Sequence, residues 1–486
     1  MKTFKSFLVL VSISMLLISS FSSLAMASVD LSGFIEMDER ARTSGTSDEL
    51  RWNRAIFGLK AKSQISLNVA AYAELHLKSL GLSSPSTADE LADTASVQPV
   101  DVELREAYID VYGFIFDNVD LKAGKQRIAW GTADRLNPTD VINPYDFTDI
   151  LKLGEKAPTN SLKLASYFGD TTLTGVFVPT FTPAIMPDFY LAMYTNPLYN
   201  MEKGAAKQGI NLTMDVKEKF EYPPNDLSNS MFGAKVERNF FGIDFSLSYF
   251  NGYDSIPNMT DIDVIIDAPN LQNIDVSIEA LQTYPKIEVV GFDLAGDFYG
   301  IGFWAEVAHV RPENAYQQLY LDHIQGTTIT GTQEVADYTK FTVGFDYKFL
   351  NGLYINTQFM HGFFDERSTD LFGFAKRMMK EELGDVGEAL GVMFGTGMSI
   401  SDMLFISADQ KFFNEKFKIE VAAGWDLALD QEKNIKGHIL KPSISYYPAD
   451  ATEITLGFLA LDGDDWTKFG MMRDQDQAYL QFKYSF

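Results

Sequence analysis

A closed antiparallel β-barrel is the fold class this sequence predicts, and three observations predict it. The final residues, AYLQFKYSF at 478–486, place Ala478, Leu480, Phe482, Tyr484 and Phe486 on one face and polar side chains on the other. The same period-2 alternation recurs along the chain, and the breaks between alternating segments are short and long in turn. Nothing after residue 27 holds an apolar run long enough for a membrane-spanning helix, which needs about 20 residues. A barrel crosses lipid with just such a dispersed signal, because side chains point alternately to the two faces of each strand.

The N-terminus supplies the address. Lys2 and Lys5 precede an apolar run from Phe7 to Ile18, and small residues close the stretch at Ala25-Met26-Ala27. That is the pattern of a secretory signal peptide spanning 1–27, leaving 28–486 as a single barrel domain. With no cysteine in the chain, neither disulfides nor a lipid anchor is available. A net charge of −26 excludes a nucleic-acid partner, which requires a basic surface.

Strands are expected near 29–41, 51–62, 64–78, 99–115, 118–130, 160–169, 171–179, 229–240, 242–253, 286–297, 299–311, 339–349, 353–364, 403–413, 416–428, 437–447, 452–461 and 477–486. That gives about 18 strands, with 16 or 14 as the alternatives, and an even number as such barrels require. Clear examples are Phe341, Val343, Phe345, Tyr347 and Phe349, and Phe417, Ile419, Val421, Ala423 and Trp425, each interleaved with mostly polar neighbours. Brief breaks occur at Gly169-Asp170, Phe241-Gly242, Phe298, Leu350-Asn351-Gly352, Asn414-Glu415 and Pro448-Ala449-Asp450. Short turns on one rim and long loops on the other are how outer-membrane barrels are built, and 38 Phe, 22 Tyr and 5 Trp suffice for interfacial girdles. The terminal strand, through Leu480, Phe482, Tyr484 and Phe486, resembles the signal by which the barrel-assembly machinery inserts such proteins. A Gram-negative outer membrane follows as the location, with its lipid and lipopolysaccharide as surroundings.

Three long loops are candidates to fold inward or cap the barrel: 131–159, 180–228 and 365–402. The first contains the densest chemistry in the chain. Residues 124–147 read GKQRIAWGTADRLNPTDVINPYDF, where two Asn-Pro pairs fix local geometry, since proline restricts the residue before it. Lys125, Arg127, Asp134, Arg135, Asp140 and Asp146 are the candidate constriction residues, able to set the field in a narrow passage. A break in alternation there suggests a β-bulge at Gly124, turning Lys125 and Arg127 inward and Ile128 and Trp130 outward. The competing reading is a loop tied by its own Asp–Arg pairs that merely seals the wall. Within 368–395, Leu371, Phe374, Met378, Leu383, Val386 and Leu390 share a helical stripe that caps the pore or packs on neighbouring loops.

The run REAYIDVYG (105–113), followed by DLKAGKQRIAWGTADRLNPTDVINPYDF, resembles a porin-like family of Gram-negative outer-membrane β-barrels, itself distantly similar to alginate-export barrels. The residues that carry the resemblance are Arg105, Glu106, Tyr108, Gly124, Lys125, Gln126, Trp130, Gly131, Asp134, Asn143, Pro144 and Asp146. The stretch GVFVPTFTP (175–183) and Pro223-Pro224-Asn225 fit as well. The resemblance implies a porin-like barrel and supplies no substrate.

Catalysis has little support. The five histidines, His76, His309, His323, His361 and His438, lie in no nucleophile–base motif, and neither Gly-x-Ser-x-Gly nor His-Glu-x-x-His occurs. Asp462-Gly463-Asp464-Asp465 lacks the spacing of a calcium loop. The expected role is therefore a porin or substrate-selective channel for small molecules, without cofactor or metal. Two alternatives stand beside it: a non-transporting adhesin or structural barrel with a plugged lumen, and a hydrophobic-substrate transporter.

Overall fold

The computed structural model describes residues 28–44, 50–207, 209–270, 272–313, 315–323, 327–363, 402–427, 437–464, 467 and 469–486. The leader expected at 1–27 and the helical stripe expected at 368–395 lie outside the described residues, as does almost all of the candidate loop 365–402.

In chain order the strands are β1 (Val29–Arg42), β2 (Leu50–Ser66), β3 (Val69–Leu80), β4 (Val100–Val111), β5 (Val119–Gln126), β6 (Thr159–Phe168), β7 (Thr171–Val178) and β8 (Asn211–Glu221). There follow β9 (Met231–Phe240), β10 (Ile243–Tyr253), β11 (Asn258–Asn270), β12 (Asn273–Thr283), β13 (Lys286–Phe298), β14 (Ile301–Pro312), β15 (Tyr316–His323) and β16 (Thr327–Glu334). The last are β17 (Tyr338–Lys348), β18 (Tyr354–His361), β19 (Asp402–Phe412), β20 (Phe417–Leu427), β21 (Gly437–Ala449), β22 (Thr452–Gly463) and β23 (Gln477–Ser485). Among the described residues three helices accompany them: α1 (Ala88–Ala92), α2 (Thr94–Val97) and α3 (Tyr190–Lys207).

Eighteen strands, all but β8, β11, β12, β15 and β16, form one sheet. Each pairs antiparallel with its neighbour in chain order, and β23 pairs back onto β1, with Phe34 opposite Ser485 and Arg42 opposite Gln477. The sheet closes on itself and has no edge to leave unpaired. All eighteen segments expected from the alternation are present, their ends displaced by a few residues.

The surface is inverted relative to a soluble protein. Phe345 is 53% exposed, Val421 42% and Phe482 41%, while Glu306 and Asp293 are 2% exposed and Arg40 1%. Apolar side chains cover the outside and charged ones are enclosed, the arrangement that a hydrocarbon surrounding favours. The terminal Leu480, Tyr484 and Phe486 belong to the same exposed outer face. At the short-turn rim, Phe241-Gly242 and Tyr299-Gly300 both take positive φ at the two turn positions (53° and 80°, 54° and 82°). These are the type I′ turns whose twist matches two-residue hairpins.

No bulge lies at Gly124, where the break in alternation suggested one; the register shift lies one strand earlier. Pairing through Gly124 is unbroken on both sides, from Val111↔Leu121 to Ala107↔Lys125 and from Val119↔Ser166 to Gln126↔Thr159. The bulge is in β4, where Glu74 faces Glu106 and Leu75 faces Leu104, so that Arg105 is the extra residue. Outward residues switch there from odd to even, with Ile109 exposed before the loop rim and Leu104 and Val102 exposed beyond the bulge. Lys125, opposite Ala107, therefore stays on the outer face, and its ammonium donates to the Leu104 carbonyl oxygen at 2.7 Å. The inward turn expected of Lys125 is corrected accordingly.

Gly124 has a different task. Its φ is +134°, and a Cβ there would come 2.3 Å from the Ala107 carbonyl oxygen. Gly124→Ala is expected to cost about 1–3 kcal/mol through the strained backbone alone, read as a lower urea midpoint for the heat-modifiable folded band. An unchanged midpoint would contradict that role.

Three neighbouring long loops build a second sheet, in the order β16-β15-β11-β12-β8. Strands β8 and β12 run parallel, as do β11 and β15, so the sheet is stitched between loops as well as within them. Leu212, Ile262, Val264, Ile266, Val276 and Ile278 bury its inner face. The stretch 180–228, expected to fold inward or cap the barrel, contributes β8 to this sheet with α3 before it, and its first residues reach the lumen loop through Ile185 beside Asp146.

Candidate functional site

The chain leaves the wall after Gln126 and returns at Thr159, and the loop between them, 127–158, runs through the lumen. Two buried residues fix its stems. Asn143 Oδ1 accepts the Ile128 N–H at 2.7 Å, and its amide donates to the carbonyl oxygen of Ala157 at 3.1 Å and to Thr159 Oγ1 at 3.3 Å. Asn143 is thereby a clip that holds the outgoing and returning strands together. Gln126, fully buried, donates to the Ser161 carbonyl at 3.0 Å.

From these stems the loop is fastened to opposite walls. On β14, Glu306 gathers the N–H groups of Thr132 and Ala133 on Oε1, and the Thr139 hydroxyl (2.9 Å) and N–H (3.3 Å) on Oε2. On β18, Gln358 accepts the Asp134 N–H at 3.0 Å and donates to the Asp134 carbonyl at 2.8 Å. On β1, almost diametrically across from β14, Arg40 makes a two-pronged pair with Asp149 at 2.6 and 2.8 Å while also holding Asp38. On β4, the bulged Arg105 reaches Asp146 at 3.3 Å and pairs with Glu155. A segment tied to β1, β4, β14 and β18 crosses the full width of the barrel.

Apolar packing backs these ties. Ile128, Trp130 and Ile142 lie with Val176, Val178, Met231, Phe250, Ile287, Val289, Ala308 and Val310, which line the inner face of β7, β9, β10, β13 and β14. Ile128 and Trp130 accordingly point into the lumen, not outward as the alternation suggested. Gly233 admits the Trp130 ring, since a Cβ there would meet it at 2.7 Å. A second lumen cluster joins Leu136, Tyr145, Ala184, Met360, Phe363 and Met403. The segment before β23 folds in as well, placing Phe469 with Leu459 and Leu461 against Ile150 and Leu151 of the loop.

Between the loop and the β18–β20 wall an open recess remains, lined by Asp134, Arg135, Leu136, Leu153, Asn356, Gln358, Met360, Phe405, Ser407 and Ala422. Arg135 sits there in left-handed backbone, φ +68°, packed on Gly154, where a Cβ would come 2.2 Å from the Arg135 carbonyl oxygen. Asp134 accepts from Asn356 Nδ2 at 3.3 Å.

No protein-family model matches the sequence, and no curated protein matches it. Among solved structures, Pseudomonas aeruginosa OccK8 (OprE) is similar with a TM-score of 0.48 at 10% identity, over 94% of this chain and 98% of that one. Pseudomonas aeruginosa OccK11 (OpdR) gives 0.46 at 10% identity over 94% and 95%. The Salmonella typhi OmpF complex with daunomycin gives 0.39 at 11% identity over 95% and 98%.

Of the six residues singled out in the sequence, the structure brings Asp134 and Arg135 to the recess. Asp146 is half of a structural pair with Arg105, and Arg127 is exposed where the loop leaves the wall. Lys125 is on the outer face. Asp140 is buried beside Lys156, a residue the sequence did not flag.

Lys156 is enclosed, its ammonium donating to the carbonyls of Asp140 (2.8 Å) and Asn143 (3.2 Å) and resting 3.2 Å from the centre of the Tyr145 ring. Burial pushes its pKa down to about 8, against the attraction of Asp140 and Asp254. Burial likewise pushes the Asp140 carboxyl up, against Lys156 and Arg127. Because the folded Lys156 releases its proton before the unfolded one, whose pKa is about 10.4, the unfolded state binds more protons between those values and stability rises with pH there. Protection of the Ile128–Ala157 loop against protease is expected to increase from about pH 8 toward pH 10.4, and Lys156→Met to flatten that slope. A fall in protection over this window would contradict the assignment.

Proposed function

We propose that the protein is an outer-membrane channel that passes small molecules through the space left between the lumen loop and the β18–β20 wall. The observation that carries this reading is a loop fixed to opposing walls by buried polar ties, beside a recess that keeps charged side chains. A loop meant only to seal the barrel has no use for an arginine in strained backbone facing empty space. The signal-peptide pattern, the apolar outer face and the C-terminal strand support delivery to a Gram-negative outer membrane by the barrel-assembly machinery, with lipid and lipopolysaccharide around it. The motif around Trp130 and Asn143, with its resemblance to porin-like and alginate-export barrels, supports the same reading.

One observation favours a second reading. The lumen clusters around Leu136, Tyr145 and Phe469 bury enough side chains to plug much of the barrel. Stepwise currents from the purified protein in planar lipid bilayers separate the two. The channel reading expects discrete openings in KCl, and the plugged reading expects a silent membrane.

A further inference from the structure

We propose that Lys125, Arg127 and Asn160 form a docking site on the lipid-facing wall for the phosphate of an outer-leaflet glycolipid. In a Gram-negative outer membrane that lipid is lipopolysaccharide, so the site rests on the outer-membrane placement proposed above. It does not depend on whether the barrel conducts.

The wall is cut low at this point. Strand β5 holds 8 residues, fewer than the about 9–11 that a tilted strand needs to cross the hydrocarbon. It pairs with β4 only over Ala107–Val111, whereas β3 pairs with β4 as far as Val100. Val100, Val102 and Leu104 are 57, 57 and 46% exposed, so the apolar outer face of β4 continues past the end of β5. The result is a notch on the long-loop side of the membrane, with Lys125 and Arg127 at its floor.

Among the described residues, Lys125 carries the one charge on the outward faces of β3 to β7, and Arg127 continues its parity and is exposed. The Lys125 ammonium donates to the Leu104 carbonyl at 2.7 Å, which holds it against the notch. Neither cation has a carboxylate within ion-pair distance among the described residues. Glu106 accepts the Arg127 main-chain N–H at 2.7 Å but shares the lumen face with Glu74, and Asp140 is enclosed beside Lys156. Arg311 and His361, also outward near the long-loop rim, are by contrast matched by Glu288 and Asp337, and by Asp402. A cation that faces lipid needs a counter-charge, and at this rim the membrane supplies headgroup phosphate.

Spacing and surroundings fit that ligand. Two residues apart on one strand, Lys125 and Arg127 stand about 7 Å from each other. One phosphate bridges such a span through two charge-assisted hydrogen bonds. Asn160, directly opposite Lys125 and exposed, adds an amide donor. Exposed Val102, Leu104, Leu162 and Leu164 offer acyl chains an apolar bed beside it. A phosphate carried on acyl chains satisfies both halves at once.

Fluorescence anisotropy of labelled lipid A, the phosphorylated anchor of lipopolysaccharide, decides the site with the full-length mature protein in dodecyl maltoside micelles. Lipid A is expected to bind at a mole fraction about tenfold below that needed by its dephosphorylated form, and Lys125→Gln and Arg127→Gln should each weaken binding about tenfold, the loss of one charge-assisted contact. Lys125→Arg should keep the wild-type affinity, and Arg238→Gln, an outward cation at the short-turn rim, should change nothing. Equal binding of the two lipids overturns the site, as does unchanged affinity in both glutamine variants or an equal loss in Arg238→Gln. Displacement of lipid A by millimolar inorganic phosphate marks a free-anion site and overturns the lipid assignment. Where a glutamine variant gives no heat-modifiable folded band, the wild-type comparison of the two lipids decides alone. Cell fractionation checks the placement separately, since recovery in the soluble periplasm overturns the outer-membrane reading itself.

Discussion

Glu306→Ala is expected to raise the single-channel conductance at least about twofold, because it releases the lumen loop from the β14 wall. One carboxylate there accepts from Thr132, Ala133 and Thr139, and its removal leaves buried N–H groups with no acceptor. Each orphaned donor costs about 1–3 kcal/mol, more than a loop segment recovers by staying in place. The Trp130 cluster still anchors the outgoing stem, so the freed portion is 131–139 and not the whole loop. Glu306→Gln keeps an acceptor oxygen and should fall between wild type and Ala. Conductance histograms of the three proteins provide the check, and three identical histograms would refute the tether.

Arg40→Ala should produce the larger loss of stability, about 3–5 kcal/mol, since it strands two enclosed carboxylates, Asp38 and Asp149, without a counter-charge. Arg40→Lys should recover only part of it, because an ammonium cannot reproduce the two-pronged contact with Asp149. The pH dependence has a definite sign. Burial raises the Asp149 pKa, but the hydrogen bonds and charge of Arg40 outweigh it and hold the carboxyl below its usual range. In the wild type that stabilisation is complete above the unfolded value of about 3.9 and is lost as pH falls through the folded one. In Arg40→Ala only Lys152 and the Leu151 N–H still oppose burial, so acidification should instead narrow the gap between the two proteins. Urea midpoints measured from neutral pH down to the carboxylate range would show this, and a gap that widens on acidification would contradict it.

The two tethers mark where reading the sequence stops. Period-2 alternation located all eighteen barrel strands, because one face meets hydrocarbon and the other does not, but it misassigned the faces of Lys125, Ile128 and Trp130 beside the β4 bulge. It gave no sign of what Arg40 and Glu306 hold. Arg40 and Asp149 are 109 residues apart, and Glu306 and Ala133 are 173 apart. Asn143 was legible as a turn-former beside proline, whereas its role as a clip depends on the return of Ala157. Alternation in β11, with Ile262, Val264 and Ile266 between aspartates, is as clear as in any barrel strand. Its parallel partner β15 comes from a different connection, which no local pattern reveals. The recess shows the same limit: Asp134 and Arg135 are adjacent in the chain, but Asn356, Phe405 and Ala422 join them only through the closed sheet.

The central claim, that residues 127–158 span the lumen and set the passage, is tested most directly by the conductance of a variant whose residues 131–157 are replaced by a short Gly-Ser linker. The tethered crossing predicts small discrete openings in the wild type and openings several times larger in the variant. Equal conductance in the two proteins would contradict it.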